Sequence, residues 1–149
     1  MFISILIYIF SYILVIMIHE LGHAFFVKIY GGEIKGIGFG EGNKIFAIRK
    51  FFIRKNLIFM GRIEWKLPLK LKRYQYIFIY MGGFLFNVLT GSIVWIFGDI
   101  QYADYYRYII IFSYLIGFCS LIPLKYSPYT ESDGLAVMRV LMNKNRRVS

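Results

Sequence analysis

Three long stretches of the chain carry no charge: residues 2–18, 76–97 and 108–124. A helix that crosses a membrane needs about 20 largely apolar residues. The pattern therefore predicts three transmembrane helices, near 2–29, 74–98 and 105–124. Between the first and second the rhythm changes. Glycines stand at 31, 32, 36, 38, 40, 42 and 61. From Ile58 to Lys66 the positions alternate, with Phe59, Gly61, Ile63 and Trp65 on one face and Met60, Arg62, Glu64 and Lys66 on the other. That is the two-residue period of a strand. Weaker strand candidates, Ile34–Phe39 and Lys44–Arg49, flank a turn at "GEGN". The stretch near 31–67 is expected to form a small antiparallel β-sheet on the cytoplasmic membrane surface, ended by Pro68. After Pro123 the chain turns polar, and "SDGLAVMRVLMNKNRR" predicts a short amphipathic C-terminal helix. The expected fold class is a membrane protein, mainly α, forming a single domain over 1–149.

Composition agrees, and charge adds an orientation. The chain is 58% hydrophobic, where a soluble domain is about half apolar even with glycine included. Of the 18 Lys and Arg residues, 12 lie between Lys28 and Arg73. Lys125, Arg139, Lys144, Arg146 and Arg147 follow the third span. The 99–104 connection has two aspartates, Asp99 and Asp104, and no basic residue. Basic segments flanking spans stay in the cytoplasm. The 30–73 region and the C-terminus are thus expected inside, and the N-terminus and the 99–104 loop outside. Anionic lipid is the expected partner of the basic face. Nucleic acid is the other common partner of such charge, and it is not expected here because lipid accounts for the placement. The first span lacks a basic leader and a small-residue cleavage site, so it reads as a span rather than a signal peptide. Cys119 stands alone in the third span, which excludes an internal disulfide and a zinc–thiolate cluster.

The first span ends in "HELGH": His19, Glu20, Leu21, Gly22 and His23. Residues four apart on a helix share a face, so both imidazoles can aim at one zinc ion. Glu20 points to the side of the metal. There it can take a proton from a water that zinc acidifies toward neutrality. These are the only two histidines in the chain, and ionisable residues inside a membrane helix are costly and by default functional. A polar patch can also serve merely as helix packing, but that use does not require Glu20 between the histidines. Lys28 marks the cytoplasmic end of the helix. At about 1.5 Å per residue the site lies about 10 Å inside it.

A catalytic zinc usually has three protein ligands and one open position. No histidine remains, so a carboxylate is favoured for the third. Asp99 and Asp104 fall on the far side of the membrane. Glu33, Glu41 and Glu64 lie in the basic strand region and read as solvated. Glu131 and Asp133, in "PYTESDGL", remain, and Asp133 could instead cap the helix that follows. In the second span Gly83, Asn87 and Gly91 are four apart, a small-residue face expected to press against the first span. Asn87 would place an amide in a dry interior. It would act there either as helix glue or as a hydrogen-bond donor to a substrate or developing oxyanion.

HELGH in a membrane helix, "GGFLFN" in the next, and a later Asp133-Gly134 after a proline-containing third span together resemble the site-2 protease family of intramembrane zinc metalloproteases. The resemblance covers nearly the whole chain and implies the minimal three-helix core of that family. It implies His19, His23 and Asp133 as the ligands of Zn2+ and Glu20 as the general base; Asn87, from its place in the second span, is expected as a further catalytic residue. The chain departs from the family's third motif. Ser120 stands in "SLIP" where an asparagine is usual, and Asp133 is ten residues past Pro123; counted from Pro128, Lys125 takes the asparagine's place.

The expected function is hydrolysis of peptide bonds in or near transmembrane segments of membrane-anchored proteins or peptides. The edge of the small sheet could receive the unwound substrate as an added strand. Two other readings compete. One is a membrane adaptor with a structural or vestigial zinc, which would have no use for Glu20. The other is the second kind of membrane HExxH protease, in which Glu131 would be the third ligand.

Overall fold

The computed structural model describes residues 2–127 and 130–142, with the side chains of 3–56, 61–127 and 130–142. Lys144, Arg146, Arg147 and Pro128, along with the side chains of Phe59 and Met60, lie outside the described part.

Helix α1 (Phe2–Ile29) matches the expected first span, continuing past the uncharged stretch, and carries HELGH in its last three turns. It ends because Gly31 takes a left-handed φ of 79°, and the Gly32 N–H then donates back to the Val27 carbonyl at 2.7 Å. Helices α2 (Arg73–Phe97) and α3 (Ala103–Ser120) follow the sheet. Both α1 and α2 are long and apolar enough to cross a membrane. Helix α3 stops at Ser120, short of the expected residue 124, because Pro123 cannot continue a helix and disfavours helical geometry just before it. A last helix, α4 (Asp133–Met142), buries Ala136 and Val140.

The strand region is more extensive than the alternation suggested. Strands β1 (Glu33–Ile48) and β2 (Phe51–Lys66) form one antiparallel pair with repeated register shifts. The sharp reversal falls at Arg49, whose φ is 52°. At "GEGN" the chain only bends, with Gly40 and Gly42 at φ 87° and 83°, and pairing resumes to Ile48. The bending folds the pair back on itself. Ile37, Gly38 and Phe39 have Ile63, Arg62 and Gly61 on one side and Phe51, Phe52 and Ile53 on the other. Gly38 is required there, since a Cβ would come within 2.7 Å of the Phe52 carbonyl carbon. Residues 61–66 are therefore paired along one edge only, among the described residues. The Phe51–Ile53 run gave no alternation and was not expected as a strand.

The helices meet through glycine. A Cβ on Gly22 of α1 would lie 2.6 Å from the Gly82 carbonyl carbon of α2. A Cβ on Gly82 would lie 2.9 Å from the His23 backbone nitrogen. Backbones this close leave no room between the helices, and His23 beside Gly22 reaches the Ile79 carbonyl of α2. The expected Gly83–Asn87–Gly91 face divides between partners. Gly83 and Asn87 meet α1, whereas Gly91 meets Ser113 and Tyr114 of α3.

Candidate metal centre

His19 and His23 stand one turn apart on α1, both buried. Asp133, at the first turn of α4, reaches them from the other end of the chain. Its Oδ2 is 3.0 Å from His19 Nε2 and 3.4 Å from His23 Nε2. One ligand atom from each residue lies within 4.8 Å of the others. Two imidazole nitrogens and a carboxylate oxygen meeting this tightly can hold one divalent ion.

The local sequence explains how Asp133 gets there. Ser132 caps α4: its hydroxyl accepts from the Leu135 N–H at 3.2 Å and from the Leu124 N–H at 2.9 Å. Asp133 is therefore released from capping. Gly134 presses against the C-terminal end of α3, where a Cβ would stand 2.9 Å from Leu121 Cα. Any side chain there would hold α4 away and withdraw the carboxylate. Burial by itself would raise the Asp133 carboxyl, but the neighbouring imidazoles of His23 and His19 outweigh it. They hold the group well below the usual carboxylate range, as an anion.

Glu131, the competing ligand, lies on the same wall but turns away and pairs with Arg139. It is not in the cluster with the two histidines. Lys125 forms a β-bridge with Glu131. Ser120 faces the site, its hydroxyl donating to the Gly117 carbonyl at 2.9 Å.

Each histidine is held from behind. His23 Nδ1 is 2.7 Å from the Ile79 carbonyl oxygen, which can only accept, so Nδ1 carries the proton. His19 Nδ1 is 3.2 Å from the Asn87 side-chain amide. Asn87 is fully buried behind His19 and does not line the cavity. The sequence offered it as glue or as a donor to substrate; its described partner is the imidazole. The ring of His19 also fills the space over Gly83, where a Cβ would fall 2.5 Å from its Cε1.

In front of the histidines opens a cavity of 490 Å³. Glu20 lines it beside His19, outside the ligand cluster. Its other neighbour is Gly61 of β2, where a Cβ would meet Glu20 Cγ at 2.6 Å and Oε1 at 2.8 Å. Tyr80, Trp65, Ile63 and Tyr126 add aromatic and apolar walls. Gly61, Arg62, Ile63 and Trp65 all border the cavity although they alternate in direction. The strand thus meets the cavity along its edge rather than by one face. Arg62 ties this edge to the α3–α4 loop, donating to Thr130 Oγ1 at 3.2 Å. Sequence reasoning missed Arg62, Tyr80 and Tyr126, which carry no motif of their own.

Neither a protein-family model nor a solved structure matches the chain. Among known proteins it is similar to the uncharacterized membrane protein YwmF of Bacillus subtilis (strain 168). The two are 30% identical over 132 residues, a match covering 86% of this chain and 82% of that relative.

Proposed function

The chain belongs to the membrane-protein family of YwmF, and we propose that it is an intramembrane zinc metalloprotease of the site-2 type. In this reading α1, α2 and α3 all cross the membrane. The N-terminus faces outward, and the sheet and α4 lie on the cytoplasmic side with their basic residues near anionic lipid. One observation carries the proposal: His19, His23 and Asp133 converge on one point while Glu20 stands beside them on an open cavity wall. A structural metal needs no base at its side, so the pairing favours an enzyme over an adaptor.

The donor set fits zinc, which when bound would polarise a scissile carbonyl and acidify a water. His19, His23 and Asp133 would hold it. Glu20 would take the proton from the attacking water and pass it to the leaving amine. A membrane helix hides its carbonyls in its own hydrogen bonds and must unwind before cleavage. The edge of residues 61–66 borders the cavity and is available to pair with an extended segment. The aromatic walls suit apolar side chains flanking the cleaved bond. The substrate class is a membrane-anchored protein or peptide.

The test is zinc content and proteolysis of detergent-solubilised protein, with casein as an unfolded probe substrate. About one zinc per chain is expected in the wild type, in Glu131→Ala and in Glu20→Gln, and a sharp loss in Asp133→Ala. Casein cleavage is expected in the wild type and not in Glu20→Gln. A folded wild type that binds no zinc would overturn the reading in favour of an adaptor.

A further inference from the structure

The two histidines differ in what stands behind them. Behind His23 is a backbone carbonyl, Ile79 O, which can only accept and cannot turn. Behind His19 is Asn87, whose amide offers a donor at one end and an acceptor at the other. As placed, Asn87 Nδ2 faces His19 Nδ1 at 3.2 Å. An N–H facing that nitrogen puts the lone pair on Nδ1 and the ring proton on Nε2. The Nε2–H then points at Asp133 Oδ2, 3.0 Å away. This is a chain of donors, Asn87 to His19 to Asp133. It is incompatible with ligation, because Nε2 must offer its lone pair to an ion.

The other end of the amide, Oδ1, is buried and has no hydrogen-bond partner. His19 is thus the one described group that decides which way the amide points. A half-turn about the Cβ–Cγ axis of Asn87 exchanges its ends. Oδ1 then accepts from Nδ1–H, and Nε2 is freed to face the ion beside His23 Nε2 and Asp133. We infer that Asn87 is a positioning residue that selects the metal-binding tautomer of His19. This rests on the proposed metal site and adds to it a group that never touches metal or substrate. Partners behind ligating histidines commonly tune metal affinity by about 10–100-fold.

Zinc affinity in detergent micelles tests this, measured by competition with a chelating dye, on the wild type, Asn87→Leu and Asn87→Asp. Leucine keeps the volume and removes the acceptor; aspartate keeps the acceptor in either orientation. The expected result is about 10–100-fold weaker binding in Asn87→Leu and no such loss in Asn87→Asp. Equal zinc affinity in all three proteins would overturn the inference, as would a melting loss in Asn87→Leu without any change in affinity. A readout on the wild type alone guards against a leucine variant that fails to fold. Nitrogen-15 spectra of histidine-labelled, zinc-loaded protein should show His19 protonated at Nδ1, and ligation through Nδ1 would overturn the inference. A wild type that binds no zinc would instead bring down the metal site itself, and the inference with it.

Discussion

Gly61 of β2 backs directly onto Glu20 of α1. A Cβ on Gly61 would meet Glu20 Cγ and Ile16 Cγ2, both at 2.6 Å. The contact joins the sheet to the helix that carries HELGH, and it holds the carboxylate against the cavity wall.

Gly61→Val should therefore displace Glu20 and leave the ligands in place. Casein cleavage is expected to fall by about 100-fold or more, the scale of a lost general base, with zinc content unchanged. Parallel zinc analysis and proteolysis of the purified variant check this. Loss of zinc along with activity would show that Gly61 shapes the ligand cluster instead.

The cap on α4 should be felt at the proposed metal site. Ser132 receives two backbone N–H groups, from Leu124 and Leu135. Ser132→Ala removes the cap, at a cost of about 1 kcal/mol, and loosens the turn that presents Asp133. The variant is expected to melt lower and to bind zinc more weakly than the wild type, since fraying of the first turn of α4 moves Asp133 from the histidines. Unchanged affinity would mean that Gly134, packed on Leu121, is sufficient by itself.

Acid should loosen the sheet through Glu64. Burial opposes its ionisation, but hydrogen bonds from Lys44, at 2.8 Å, and from Arg54 prevail and lower it below the ordinary carboxylate value. The folded state therefore binds fewer protons at this site than the unfolded chain. Its contribution is present above the ordinary glutamate value, about 4.3, and is lost as pH falls through the lowered one. Melting of the wild type should decline more between pH 5 and pH 3 (about the window of that titration) than melting of Glu64→Gln. The difference should amount to less than about 1 kcal/mol because the pairs are solvent-screened. Parallel declines would remove Glu64 from the account.

Much of the architecture could be read along the chain because it depends on near neighbours. The helices expected near 2–29 and 74–98 became α1 and α2 almost to the residue. His19 and His23 share a face because a helix turns every 3.6 residues, whatever the rest of the fold does. The end of α3 was misjudged by four residues, since apolar character continues past Ser120 while helical geometry does not. The Phe51–Ile53 strand was not legible because all three of its residues are apolar although only Phe52 is buried. Phe52 is buried beneath Gly36 and Gly38.

By itself, then, the sequence determined the helices, the HELGH pair and the glutamate beside it, all set by spacing within a few residues. The tertiary structure decided which distant groups join them. Glu131 and Asp133 are two residues apart and chemically alike. Only the Ser132 cap, the close approach of Gly134 to Leu121 and the pull of Arg139 turn one toward the histidines and the other away. Asn87 likewise faces His19 because the Gly22–Gly82 contact sets the depth at which α2 meets α1. Such choices depend on how whole elements pack, and packing joins residues as far apart as His19 and Asp133, which lie 114 positions from each other.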